Sequence, residues 1–292
     1  MTIVVKIPPR MNVLTIDTLL KQTVNEALVP ISKEITYDLT GLEKIEPVGV
    51  TVFSNLLEWL LACGVSQKFN IPNRNSGAIK YLDDSLFFER YTGAKIFNNA
   101  SVRDTTLPLK WINHPQSHLW LENHLITWLA KVLATSKKSL IELRICLLEL
   151  FNNIRDHSGE NAGCIFVQFF PKRKKVVISL SDFGVGIPAN VKKIHQGLSD
   201  GEAVKLAMQE GFTTNTTVRN RGVGLFLLAQ TVVDNNGGEL TIRSGDAHVC
   251  CNKDGVTDLS DYSGFYKGTL FDITLHTDKF DKTLADDEEF LW

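Results

Sequence analysis

One predicted helix carries a regular polar stripe, and this feature most restricts what the chain can be. Glu149, Asn153 and His157 recur every four residues, and helical residues four apart lie on one face. The neighbouring Leu147 is apolar, so the same helix also has a side suited to a core. A core helix does not need a carboxylate, an amide and an imidazole in line. The stripe therefore indicates a binding partner, although alone it would also suit a solvated face.

A second polar feature follows at the end of an apolar strand. The segment VVISLSDFGVGI places Asp182 after strand-forming residues, with Gly184 and Gly186 in the turn beyond. Glycine permits positive φ and a close approach of the backbone to a ligand, and a carboxylate accepts hydrogen bonds from an exocyclic amine. A tight turn without any ligand would also require glycine. The segment is therefore either a binding site or a simple turn.

A third feature is a polar loop, residues 211–222, directly before a predicted helix. Backbone amides at the start of a helix, together with the helix dipole, favour an anion such as phosphate. The alternative is a surface loop with a glycine cap. The candidate binding residues at this junction are Arg219, Arg221, Gly222, Val223, Gly224 and Leu225.

The bulk charge argues against a general attraction for nucleic acid or an anionic membrane. Thirty-one basic and thirty-three acidic residues give a formal net charge of -2, so any anion is bound locally. The basic turn at 172–175 is best interpreted as a solvated hairpin tip. The longest apolar stretches, 56–65 and 145–151, fall short of the ~20 residues of a membrane span.

The N-terminal sequence and the cysteines favour a cytoplasmic protein. The first residues lack a basic start followed by an apolar run and a cleavage site, so no secretion signal is expected. Five cysteines form no CxxC pair and no metal-like spacing, which favours reduced, mostly buried thiols.

The chain is predicted to be α+β with two domains. Short strand-like and longer helical segments alternate early, which predicts a small α/β domain over residues 1–95. Residues 96–116 are interpreted as a linker. Residues 117–279 predict a two-layer α/β sandwich that begins with two helices, and residues 280–292 form an acidic tail.

The order and spacing of the three polar features resemble the N box and two glycine boxes of the Bergerat-fold (GHKL) ATPases. This family includes gyrase, MutL, heat-shock chaperones and histidine kinases. The resemblance covers roughly residues 117–277, and the segment GTLFDITL is similar to the closing strand of the family. It implies binding of ATP with Mg²⁺.

The resemblance also implies roles for the residues that carry it. Asn153 matches the magnesium ligand, and Glu149 matches the residue that orients or deprotonates the attacking nucleophile. Asp182 matches the carboxylate that reads adenine, with Gly184 and Gly186 beside it.

Further roles follow from the same resemblance. Thr269 would join the adenine contact through water, and residues 211–222 match the ATP lid. Either Arg219 or Arg221 would reach the γ-phosphate. His157 remains a weak candidate, because a histidine at a helix end is equally well explained by the dipole.

Within the family, the chain looks most like the anti-sigma serine kinases, whose ATP domain also begins with two helices. His114, His118 and His124 lack the following acidic residue of a phosphoacceptor histidine, and the chain ends too early for a transducer domain. In the N-terminal domain, the segment ITYDLTGLEKIEPVGVTVFSNLLEWLLACG (residues 35–64) resembles the core of the STAS fold of those kinases' partner proteins, where a strand and a turn lead into a helix. The serine phosphorylated in that fold is replaced here by Val48, so phosphorylation at that position is impossible.

Three functions remain open at this stage. The first is an ATP-dependent regulatory switch with slow or partner-triggered hydrolysis, and the second is a Ser/Thr kinase acting on a separate STAS-like protein. The third is a nonenzymatic scaffold with a degenerate pocket. A protein partner is expected in each case, and a homodimer is possible.

Overall fold

The computed structural model describes residues 2–25, 28–72, 76–113, 118–157, 162–212 and 224–282. Within these ranges, no side-chain description extends to residues 112, 113, 155–157 and 162. None of the described helices is both long enough and apolar enough to cross a membrane.

Twelve strands and nine α-helices have both ends within the described residues. The strands are β1 (Thr2–Lys6), β2 (Arg10–Met11), β3 (Glu34–Asp38), β4 (Lys44–Ile45), β5 (Ser66–Asn70), β6 (Thr106–Asn113), β7 (Ala162–Phe170), β8 (Lys175–Asp182), β9 (Glu239–Gly245), β10 (Ala247–Asn252), β11 (Gly255–Asp258) and β12 (Tyr266–His276). The helices are α1 (Ile16–Thr23), α2 (Pro47–Ala62), α3 (Gly77–Asp84), α4 (Phe87–Thr92), α5 (Thr127–Leu133), α6 (Ile141–His157), α7 (Ile187–Val191), α8 (Asp200–Ala207) and α9 (Gly224–Ala229). Two π-helical segments, Leu121–Ile126 and Gln230–Asn235, precede α5 and extend α9.

The N-terminal domain is an α/β unit, as the alternation in the sequence predicts. Strands β1, β3 and β5 form a parallel sheet with β3 in the centre. Parallel neighbours require a crossover between strands, and α1 and α2 provide it. The mixed helix and sheet content of the whole chain agrees with the predicted α+β class.

Helix α2 is the buried centre of this domain. It begins with Pro47 at its first position, where a missing N–H costs nothing. Gly49 lets the helix approach β2 closely, because a Cβ there would lie 2.8 Å from the Cβ of Met11. Val48, the second residue of this helix, is 1% exposed.

The C-terminal domain is built on a seven-stranded sheet with the order β11-β10-β9-β12-β8-β7-β6. Neighbouring strands are antiparallel throughout. Because side chains alternate across a strand, each strand presents one row to each face of the sheet.

We call the side covered by α5, α6 and α9 the helix face. Its core is aliphatic, and it joins α6 residues such as Leu147 and Leu150 to Ile178 of β8 and Ile242 of β9. This sheet-and-helix layer is the two-layer sandwich that the sequence predicts.

We call the opposite side the N-domain face, because α2 of the N-terminal domain packs there against β7 and β8. Phe166, Tyr266 and Leu270 of the sheet belong to the same apolar cluster as the N-terminal core. The sheet is therefore covered on both faces, and the two domains share one core at their interface.

Two parts of the sheet differ from the sequence interpretation. The segment 96–116, interpreted as a linker, contains β6, an edge strand paired with β7. Strands β10 and β11 were not anticipated, because AHVCCN lacks the β-branched alternation typical of a strand. Antiparallel pairing with β9 determines the structure of β10 instead.

Candidate functional site

Three side chains form a row across the end of the central strands. In the strand register, Thr269 of β12 pairs with Asp182 of β8 on one side and with Ser244 of β9 on the other. Each alternates with core residues of the helix face, such as Ile178 and Leu180 in β8, and so points to that face. We call Asp182, Thr269 and Ser244 the base row.

The carboxylate of Asp182 is held in a fixed orientation. The residue is 4% exposed, and its Oδ1 accepts a hydrogen bond of 2.7 Å from the backbone N–H of Gly184. Backbone geometry at the strand end therefore fixes the orientation of this hydrogen-bond acceptor.

Ser244 lies at the centre of a hydrogen-bond network that connects the turns around the row. Its Oγ donates to the carbonyl oxygen of Gly268 at 2.7 Å and accepts from the backbone N–H of Ile187 at 2.9 Å. The Oγ atoms of Ser244 and Thr269 lie 3.3 Å apart. The sequence interpretation missed Ser244, since its only signal is a position at the end of strand β9.

The glycines beside the row are explained by contacts within the protein. Gly186 has a φ of +82°, and a Cβ there would lie 2.7 Å from the Oγ of Ser244. Gly184 is not among the described residues with positive φ, so that part of the expectation is wrong. Gly268, also at φ +82°, approaches Asp182 so closely that a Cβ would lie 2.3 Å from its carbonyl oxygen. The turns that contain Gly186 and Gly268 therefore pack tightly against Ser244 and Asp182, at the two ends of the base row.

A second group lies between α6 and α9. Gly224, the first residue of α9, packs directly against Glu149, because a Cβ added at Gly224 would lie 3.1 Å from the Cβ of Glu149. Glu149 and Asn153 are half-buried and one turn apart on α6. The start of α9 and the polar stripe of α6 therefore meet.

Other predicted residues are less informative. Leu225 is half-buried and packs against the apolar core of the helix face, which gives it a packing role. Arg219, Arg221, Gly222 and Val223 lie outside the described residues, as do most of the predicted lid and the acidic tail. The side chain of His157 is likewise outside them.

In its described part the chain gathers no cluster of three or more His, Cys, Asp or Glu side chains suited to a metal. A magnesium ion bound to a triphosphate takes most of its ligands from phosphate and water and needs only one or two from protein. The amide oxygen of Asn153 is a hard donor of the required kind.

The fold and these two groups define a two-layer α/β domain with a polar row at the strand ends and a helix start against a carboxylate. Residues 139–279 match the family model described as histidine kinase-, DNA gyrase B-, and HSP90-like ATPase. The match therefore supports the interpretation of this part of the chain as an ATP-binding domain of the Bergerat (GHKL) type. None of the curated proteins is similar enough to this chain to count as a match.

The residues present suit ATP chemically. The base row combines a fixed carboxylate acceptor with the hydroxyl of Thr269, which suits an adenine amine and a ring nitrogen, while Ser244 is engaged in holding the turns. Glu149 and Asn153 lie on the same helix. They supply a carboxylate and an amide oxygen, which suit a metal-bound triphosphate and its attacking nucleophile.

Proposed function

We propose that this chain is a regulatory protein that binds Mg-ATP in its C-terminal domain and changes its protein contacts when the nucleotide is bound. The observation that carries the proposal is the packing of Gly224 against Glu149. It places the start of α9, the helix that follows the proposed lid in sequence, next to the carboxylate that would act on the γ-phosphate. A lid that orders around ATP would thus act directly on α9 and α6.

Two residues of α6 would handle the phosphates. Bound Mg-ATP supplies a transferable γ-phosphate whose charge the metal partly neutralises. Asn153 would bind the metal through its amide oxygen. Glu149 would hold the attacking nucleophile in line and accept its proton.

The base row would provide selectivity for adenine over guanine. Asp182, held by the N–H of Gly184, would accept from the exocyclic amine at position 6 of adenine. Guanine presents a carbonyl oxygen there, and two acceptors facing each other repel. Thr269 would complete the contact through water, and Ser244 would hold the turns around it.

A nucleotide-dependent switch must also change the contacts of another domain or of a partner protein. The N-terminal domain packs on the other face of the same sheet, so it is the nearest structure that the nucleotide state could influence. We propose a protein partner as well, which could be STAS-like, and a cytoplasmic location. A homodimer would be compatible with this function.

The experiment follows both binding and the fate of the γ-phosphate. In the full-length protein, Asn153→Ala should abolish the magnesium dependence of ATP binding. Glu149→Gln should keep ATP bound and stop γ-phosphate release, with a loss of about 100-fold or more. Unchanged turnover in Glu149→Gln would remove that residue from the mechanism.

A matched control is available on the same helix. Glu142 is exposed two turns before Glu149 and receives a hydrogen bond of 3.2 Å from Asn235. Glu142→Gln makes the same chemical change and should leave binding and turnover unaltered. Radiolabelled γ-phosphate would separate two functions, since inorganic phosphate indicates an ATPase switch and labelled protein indicates a kinase.

A further inference from the structure

The base row is backed by a second row on the other face of the sheet. One residue further along each strand register, Leu270 of β12 pairs with Ser181 of β8 and Arg243 of β9. Side chains alternate along a strand, so these residues point to the N-domain face when Asp182 and Ser244 point to the helix face. We call Ser181, Leu270 and Arg243 the anchor row.

Helix α2 of the N-terminal domain holds the Ser181 end of the anchor row. The Nδ2 of Asn55, a residue 3% exposed, donates to the Oγ of Ser181 at 3.1 Å. The Oγ of Ser181 also lies 2.5 Å from the Oη of Tyr266, a hydrogen bond in which either hydroxyl can donate. Burial raises the pKa of Tyr266 and keeps its hydroxyl protonated. Asn55, Ser181 and Tyr266 thus form a buried chain of polar contacts.

The other sequence neighbour of Asp182 is held by the same helix. Phe183 packs edge-on against Trp59 of α2 at 6.0 Å and against Tyr266 at 5.6 Å. Asn55 and Trp59 are four residues apart and therefore lie on one face of α2. One face of α2 thus contacts both residues that flank Asp182, namely Ser181 and Phe183.

Tyr266 connects these contacts around Asp182 to Thr269, the central residue of the base row. It stands at the start of the irregularity in β12 that separates Tyr266 from Thr269 in the register with β9. Within that irregularity lies Gly268, which approaches the carbonyl oxygen of Asp182 and accepts from Ser244. A shift of Tyr266 would therefore move the turn that presents Thr269.

The N-terminal domain also holds the Arg243 end of the anchor row. Arg243 is fully buried, and its Nη2 donates to Asp17 of α1 at 2.8 Å and to the carbonyl oxygen of Gly264 at 2.6 Å. The adjoining residue, Ser244, is the base-row member that connects the two turns. Both ends of the base row are thus backed by contacts from the N-terminal domain.

We infer that Asn55 is a positioning residue for the base row, acting from the N-terminal domain through Ser181 and Tyr266 on Asp182 and Thr269. The inference rests on the proposed ATP site. It makes the N-terminal domain part of the nucleotide specificity of the protein, because small displacements of an acceptor weaken the selection of one base over another.

The test compares two variants of α2 in the full-length protein. Asn55→Leu keeps the branched shape and the number of heavy atoms of the side chain and removes the amide. The matched control is Thr51→Val, one helical turn before Asn55 on α2. The Oγ1 of Thr51 donates to the carbonyl oxygen of Ser179 at 3.3 Å, three residues before Asp182 in β8. Calorimetry with nonhydrolysable ATP and GTP analogues, each with magnesium, gives affinity and base selectivity.

Asn55→Leu should bind the ATP analogue about fivefold or more weakly and lose preference over GTP, whereas Thr51→Val should change by less than about twofold. Equal behaviour of the two variants would overturn the inference while leaving the ATP site intact. A wild type that binds neither analogue would instead overturn the proposed function. The two failures are therefore distinguishable.

A second variant covers the case in which Asn55→Leu does not fold. Tyr266→Phe removes only the hydroxyl, and it should lower the preference for the ATP analogue in the same direction. If both variants fold, their effects on affinity should be less than additive, since both act through Ser181. Wild-type selectivity in a folded Tyr266→Phe would contradict the inference.

Discussion

On its helix face the seven-stranded sheet carries aliphatic side chains such as Ile178 and Ile242, whereas its N-domain face carries Ser179, Ser181 and Arg243. Aliphatic packing is non-directional and stabilises in proportion to buried area. Hydrogen bonds and ion pairs have preferred distances and angles. Both faces therefore stabilise the sheet, but the polar contacts of the N-domain face also fix the geometry of the strands that end in the base row.

The largest expected effect concerns the ion pair behind the base row. Asp17→Ala would leave Arg243 buried without its carboxylate, and it would also remove the acceptor of the Gly264 N–H at 3.0 Å. We expect the free energy of unfolding to fall by about 3–5 kcal/mol, measured by urea denaturation.

The control for this prediction is an exposed ion pair. Asp278 lies 3.8 Å from Lys174, with side chains 50% and 70% exposed. Asp278→Ala should cost about 0–1 kcal/mol. Similar losses in Asp17→Ala and Asp278→Ala would mean that the N-domain face does not depend on its buried charges.

A second prediction uses the pH dependence of the same face. Asp272 pairs with Ser179 and Thr241 in the register, and burial raises its pKa to about 7, with a further increase from Glu46. The unfolded chain releases this proton near the ordinary value of 3.8, so the folded state holds more protons between that pH and about 7. Stability from this group is therefore present below about pH 4 and is lost as the pH rises to about 7.

Asp272→Asn should remove this loss. We expect the variant to be more stable than wild type by about 1–3 kcal/mol at pH 8, with little difference at pH 4. His248 has the opposite slope, because burial lowers its pKa to about 4, so the informative quantity is the difference between variant and wild type at each pH. A difference that does not vary with pH would show that Asp272 does not titrate as described.

The smallest effect is expected on the helix face. Ile178 is fully buried in the aliphatic core. Ile178→Val removes one methylene group and should cost about 0.5–1.5 kcal/mol without changing the ATP-to-GTP preference. A change in base preference, measured by calorimetry, would show that the aliphatic face also positions the base row.

The local features of the site could be predicted from the sequence. Asp182 follows a strand-forming run, and Glu149 and Asn153 repeat at helical spacing, so each has a signal within a few residues. The family match at 139–279 and the two-layer fold agree with the predicted type of domain.

The contributions from distant parts of the chain could not be predicted. Ser244 joins the base row only through its register with Thr269, and Asn55 reaches Ser181 across more than a hundred residues of sequence. Pairing between strands and packing between domains are set by the tertiary structure, to which local propensity is a weak guide. For the same reason β6 looked like part of a linker.

The most direct test of the account is a calorimetric titration of the full-length protein with a nonhydrolysable ATP analogue, beside a GTP analogue, in wild type and Asp182→Asn. The account predicts that wild type binds the ATP analogue with magnesium and prefers it to GTP. Asp182→Asn should lose about tenfold or more of that affinity. Equal binding of the two analogues, or unchanged binding by Asp182→Asn, would contradict an adenine site at the base row.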